Sequence, residues 1–180
     1  SSSYVAGYFW AADLAGYVNS TGNVMDCIHI DSYQGMGRVT DATTGVISLS
    51  SVDNCYRTLV HEYQHMIHYS HLEEKGLGAN YTPTYINETF SAAAEFLMYG
   101  HNYYRTSYYN YYSSFKNGLS LTQWDYNDDM LMNYSVAYLF SQYIRAQYKG
   151  VKDETGSTIY KDAMEELSKG KDLLDIIATK

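Results

Sequence analysis

Three residues, His61, Glu62 and His65 in the run His-Glu-Tyr-Gln-His, have the types and spacing for metal chemistry. On a helix, side chains four residues apart share a face, with Cβ atoms about 6 Å apart. Two imidazoles at that separation can reach one zinc ion at about 2.0–2.1 Å. Glu62 points slightly aside, so it can reach a water beside the metal rather than the metal. The H-E-x-x-H spacing therefore predicts His61 and His65 as zinc ligands and Glu62 as the general base.

The histidines can cooperate in this way only if their segment is helical. Apolar residues recur at helical spacing between Asp53 and His71, on one stripe that we expect to be buried: Tyr56, Leu59, Val60, Tyr63, Met66 and Ile67. Asp53 has a side chain suited to cap the first turn. We therefore predict an amphipathic active-site helix over Asp53–His71.

A catalytic zinc takes a third protein ligand and keeps one position open. Glu88 lies on a second predicted helix, Pro83–Gly100, where a carboxylate among apolar residues is costly to bury unless it faces a cation. His71 has the spacing of the third metzincin histidine. The metzincin pattern, however, has glycine where this chain has His68, and glycine is what allows the sharp turn there. We favour Glu88 as the third ligand and keep His71 as the alternative.

Shorter patterns predict the remaining elements. Strands are expected over Val24–Ile30 and Val46–Leu49, and a turn or a flexible edge at Gly35–Gly37. Helices are expected over Tyr103–Phe115, Met130–Tyr148 and Ile159–Ile177. Together they predict an α+β fold in a single domain, residues 1–180. Residues 1–75 would form a small N-terminal β-sheet packed on the active-site helix, and residues 76–180 a mainly helical C-terminal lobe.

Composition argues against two classes of partner. The chain has 180 residues, a net charge of −8 and no basic cluster, which argues against binding nucleic acid. It has no run of about 18 apolar residues, so we expect no membrane span. The start at Ser1 rather than Met leads us to expect a mature or excised form. The content of Tyr, Ser, Asn and Gly leads us to expect a secreted or cell-surface protein. The sequence leaves the oligomeric state open.

Other candidate sites have weaker signals. His29 stands alone on its predicted strand, and we expect it to be a packed or surface residue rather than a ligand. Cys27 and Cys55 could form one disulfide, or stay reduced. The acidic run Asp125–Asp129 could hold a structural calcium ion, but its spacing matches no known calcium loop, so a solvated turn is expected.

Three segments resemble the gluzincin metalloproteases, and among these the hyicolysin-like bacterial neutral proteases: HEYQHMI, INETFSAAAEFL and NYSVAYLFSQYI. The resemblance runs from about Tyr8 to Gly150. It implies a zincin-like fold with His61, His65 and Glu88 as the ligands of one catalytic zinc ion and Glu62 as the general base.

The same resemblance implies two further roles. Glu95 matches a second acidic residue that would orient a ligand histidine, and Tyr134 matches a tyrosine that stabilises the oxyanion. The exopeptidase motif Gly-x-Met-Glu-Asn is absent, since Gly35-Met36-Gly37-Arg38 lacks its glutamate. The resemblance thus implies a bacterial zinc endopeptidase acting on proteins or peptides. The alternative is a catalytically silent zincin-like module for surface binding or adhesion.

Overall fold

The computed structural model describes residues 5–14, 25–31, 38–49, 52–78, 81–113, 120–124 and 129–179. The chain forms two compact units, residues 1–67 and 68–180. Every described strand lies in the first unit, and most of the helices lie in the second. This distribution confirms the predicted α+β class with an N-terminal sheet and a helical lobe. That the whole chain is one catalytic domain stays a prediction.

Two antiparallel strand pairs lie in the first unit. Strand β1 (Gly7–Phe9) pairs with β2 (Ile28–Ile30), and β3 (Arg38–Thr40) pairs with β4 (Ile47–Leu49). The predictions for residues 24–30 and 46–49 are therefore each confirmed by a short strand. The turn predicted at Gly35–Gly37 lies outside the described residues.

Strand β1 closely approaches the helix that carries the paired histidines, α2 (Asp53–Glu74). A Cβ added to Gly7 would lie 2.8 Å from both the carbonyl oxygen of His29 and Cγ2 of Thr58. Glycine is therefore needed where the strand passes between β2 and α2. After β1 the chain forms a short helix, α1 (Ala11–Leu14), which the sequence pattern did not predict. Four residues are too few to show a helical period.

Helix α2 begins at Asp53 as predicted, but the prediction of which face is buried was wrong. Tyr56, Leu59, Tyr63 and Ile67 are 41–50% exposed, whereas the polar residues His61 and Glu62 are each 8% exposed. The periodicity rule assumes that the polar face of a helix meets water. Here the polar face carries the candidate site residues, so it is the face that is buried.

The second unit is built from helices. They are α3 (Thr84–Tyr99), α4 (Tyr103–Ser113), α5 (Met130–Tyr148), α6 (Thr158–Leu167) and α7 (Leu173–Thr179). Helix α5 packs against α3, α4 and α6, and α6 packs against α7. The bounds of α5, Met130–Tyr148, are those that the sequence predicted. The apolar core is supplied by α3, α5, α6 and α7: Tyr85, Ile86, Phe90, Ala93, Ile144, Tyr148, Ile159, Tyr160, Ala163, Leu167, Leu173 and Ile176.

Local signals set the ends of the two helices at the centre of this unit. Gly100 ends α3 with φ at 71°, and its N–H donates to the carbonyl oxygen of Phe96. Asp129 caps α5 by accepting the N–H of Leu131, and it also accepts the hydroxyl of Tyr108. The rest of the predicted acidic turn, residues 125–128, lies outside the described residues. Each helix within the described ranges is too short or too polar to cross a membrane.

Candidate metal centre

The two histidines of the H-E-x-x-H run lie one turn apart on the buried polar face of α2. Their ring centroids are 4.7 Å apart and their planes meet at 81°. His61 is buried and His65 is half-buried. The helix thus holds two imidazoles side by side, with the geometry that the spacing predicted.

Glu88 belongs with the two histidines to a group of possible metal ligands. One ligand atom each from His61, His65 and Glu88 lies within 4.8 Å of the others. In a tetrahedral site with bonds of about 2.0–2.1 Å, ligand atoms stand about 3.3 Å apart. Glu88 is only 9% exposed on α3, and a carboxylate so buried is costly without a cation or donors to compensate it. The donor types, spacing and burial of this group therefore fit a zinc ion.

His71, the alternative third ligand, faces a different neighbour. Its Nε2 lies 3.6 Å from Oε2 of Glu165 on α6. Within the described residues, His71 belongs to neither of the two groups whose donor atoms converge. The geometry therefore favours Glu88 over His71. His68 is only 2% exposed, and its ring centroid lies 5.6 Å from that of Phe90.

The carboxylate of Glu62 is fixed by the main chain of the sheet. Its Oε2 accepts the backbone N–H of Phe9, the last residue of β1, at 2.9 Å. Any residue except proline could donate this bond, because the donor is the backbone. The bond holds the carboxylate through Oε2, and Oε1 takes no part in it. The close approach at Gly7 brings the strand near enough to α2 for this contact.

Glu95 is 5% exposed and joins α3 to the start of α4. Its Oε2 accepts the side-chain amide of Asn102 at 2.9 Å. Asn102 also accepts the N–H of Arg105, which caps α4, and its own N–H donates to the hydroxyl of Tyr138. The hydrogen bond from the side-chain amide of Asn102 therefore gives the Glu95 carboxylate a fixed donor within the second unit. Orientation of a ligand histidine by Glu95 stays a prediction.

Tyr134, the predicted oxyanion residue, lies in the first part of α5. Its ring meets the ring of Trp124 edge-on, with centroids 5.2 Å apart. The guanidinium carbon of Arg105 lies 5.0 Å from the Tyr134 centroid. These two contacts hold the ring in place and put a cation beside it. Arg105 itself has a buried Nη1 without a hydrogen-bond partner among the described residues.

Sequence reasoning missed Phe9 and Asn102, which donate to the carboxylates of Glu62 and Glu95. It also missed Tyr138, whose hydroxyl accepts the N–H of Asn102. Asn102 had a readable signal, because an asparagine directly before a helical segment is a common N-cap. Tyr138 is a fully buried residue of α5, but the partner of its hydroxyl could not be predicted from the sequence. The hydrogen bond from Phe9 cannot be predicted from residue types, because its donor is a backbone N–H that almost every residue has.

Comparison with known proteins shows a similarity to a bacterial neutral metalloprotease. The chain is 31% identical to the neutral metalloprotease ShpI of Staphylococcus hyicus over 176 residues, 97% of its own length. It spans 37% of the length of that relative. No protein-family model matches the chain.

Proposed function

We propose that the chain is the catalytic portion of a zinc-dependent endopeptidase. The observation that carries the proposal is the convergence of His61, His65 and Glu88 within 4.8 Å. The buried Glu62, next in sequence to the first of these ligands, supplies a base. The similarity to a neutral metalloprotease supports the same reaction class. Its substrates would be proteins or peptides, and a secreted or surface location suits such an enzyme.

The three donors would hold zinc through two neutral imidazoles and one carboxylate, which is a ligand set used by catalytic zinc sites. When bound, zinc polarises the scissile carbonyl and lowers the pKa of water to about 7. The rigid helix α2 positions both imidazoles, and Glu88 on α3 adds the negative charge that offsets a divalent cation. No calcium site is needed for this chemistry.

Glu62 would act as the proton carrier. Its Oε1 accepts the proton of the attacking water and then delivers that proton to the leaving amine. The Phe9 N–H holds Oε2, so the carboxylate does not have to be ordered anew in each cycle. Burial keeps competing water away from it. Glu95, held by Asn102, would support the orientation of a ligand histidine.

The hydroxyl of Tyr134 would donate to the oxyanion that forms at the scissile carbonyl. Losing one such donor typically lowers kcat by about 10²–10³. We therefore expect Tyr134→Phe to reduce kcat by that factor and leave both KM and zinc content unchanged. Tyr143→Phe is the matched control, since Tyr143 is 56% exposed on the same helix. Full activity in Tyr134→Phe would remove Tyr134 from the mechanism.

Digestion of casein by the purified chain tests the proposed function. We expect hydrolysis that stops when a chelator removes the metal and returns when zinc is added back, because the donors alone cannot polarise a carbonyl. Zinc content measured in the same samples distinguishes two kinds of failure. A chain that binds zinc but cleaves neither casein nor a peptide library would be a silent binding module, and the proposal would be wrong.

A further inference from the structure

A second group of metal-binding side chains lies in the first unit and shares no residue with the centre described above. Asp13 comes from α1, Cys27 from the segment before β2, and His29 from β2 itself. Nε2 of His29 lies 2.8 Å from Oδ2 of Asp13 and 3.7 Å from Sγ of Cys27. One ligand atom from each residue lies within 4.8 Å of the other two.

The surrounding structure holds these donors in place. The ring of His29 stacks on Tyr8 of the paired strand, with centroids 4.3 Å apart and planes at 11°. The main-chain oxygen of Asp13 accepts the N–H of Met25 at 2.7 Å, which ties α1 to the segment that leads into Cys27. Asp13 is fully buried. A buried carboxylate held toward an imidazole and a thiol is a pre-organised set of donors.

The arrangement does not suit a nucleophilic triad. In such a triad the imidazole contacts the nucleophile through one nitrogen and the carboxylate through the other. Here one nitrogen, Nε2 of His29, contacts both Asp13 and Cys27. The carboxylate, the thiol and the imidazole nitrogen instead lie around one common point, as the ligands of a metal ion do.

The distances are close to those of a zinc site. With bonds of about 2.0–2.1 Å to nitrogen and oxygen and about 2.3 Å to sulfur, tetrahedral geometry sets N···S near 3.6 Å and N···O near 3.3 Å. The observed N···S distance of 3.7 Å already matches. The 2.8 Å N···O distance is that of a hydrogen bond, and it would widen by about half an ångström once the Nε2 proton is lost.

We propose that Asp13, Cys27 and His29 bind a second transition-metal ion, with zinc as the natural occupant. Thiolate and imidazole select zinc over calcium or magnesium, which prefer oxygen ligands. Binding releases the thiol proton and any proton on Nε2. Three protein ligands leave a fourth position, and the partly exposed His29 ring gives an ion a way in. This site is independent of the proposed peptidase function.

Cobalt(II) titration of the whole chain tests the proposal, with cobalt as the probe. A thiolate bound to cobalt(II) gives intense near-ultraviolet charge-transfer absorption, and the proposed catalytic ligands include no sulfur. We expect two equivalents to bind and the charge-transfer band to appear. Cys27→Ser should lose the band and one equivalent. Cys55→Ser is the matched control and should keep both, because the buried Cys55 is a free thiol outside the group.

Two further variants separate this proposal from the catalytic one. Glu88→Ala should bind one equivalent of cobalt fewer and keep the charge-transfer band. His29→Gln should weaken that band and leave the proposed catalytic ligands unchanged. His29→Gln also tests the site if Cys27→Ser does not fold. Absence of the band in the wild-type chain, or a band that Cys55→Ser removes, would overturn the proposal.

Discussion

We expect Glu62→Gln to lower kcat for peptide hydrolysis by about 10²–10⁴, the usual contribution of general acid–base catalysis. Glutamine has nearly the same shape, and its carbonyl oxygen can still accept the N–H of Phe9. The fold and the metal ligands are therefore retained. The amide cannot take a proton from water, so only the chemical step is lost. Steady-state kinetics on a peptide substrate, with zinc content measured in parallel, gives both quantities.

Glu74→Gln is the control for this substitution, because Glu74 is an exposed glutamate on the same helix. It should leave kcat, KM and zinc content at their wild-type values. A Glu62→Gln variant that keeps the wild-type kcat would show that another group carries the proton. One that loses zinc would instead place Glu62 among the ligands.

The second large effect is expected at Glu88. Loss of an outer-shell partner costs about 10–100-fold in metal affinity, so removal of a ligand should cost more than about 100-fold. Glu88→Ala should therefore lose its zinc to a competing chelator that the wild-type chain withstands.

His71→Ala is the matched comparison for Glu88→Ala. His71 lies 3.6 Å from Glu165 and outside the cluster of donor atoms, so its loss should leave zinc affinity unchanged. If the two outcomes are exchanged, the third ligand is His71 and the site is of the metzincin type. The pair of variants thus decides between the two ligand sets with one measurement.

Local patterns predicted the helices well and the site partly. The bounds of α5 and the start of α2 could be read from the sequence, because periodicity and end signals lie within a few residues of each other. Glu88 was also expected to be the third ligand, and this stays a prediction. That expectation came from the cost of burying a carboxylate and from the resemblance to gluzincins, not from any pattern of contacts.

The features that the sequence did not predict have one cause in common, because each depends on contacts between residues far apart in the sequence. The apolar stripe of α2 was expected to be buried, yet Tyr63 is 50% exposed while Glu62 is 8% exposed. No local pattern shows that a polar helix face will be covered. The hydrogen bond from Phe9 joins residues 53 positions apart, and it does not depend on the type of side chain at position 9. His29 looked like an isolated histidine because Asp13 approaches it only in the fold.

The most direct test of the central claim is the position of zinc in crystals of the zinc-loaded chain, located by anomalous diffraction at the zinc absorption edge. We predict one ion bonded to an imidazole nitrogen of His61, an imidazole nitrogen of His65 and a carboxylate oxygen of Glu88, each at about 2.0–2.2 Å. An ion that binds the two histidines while the Glu88 carboxylate stays beyond bonding distance would contradict the account.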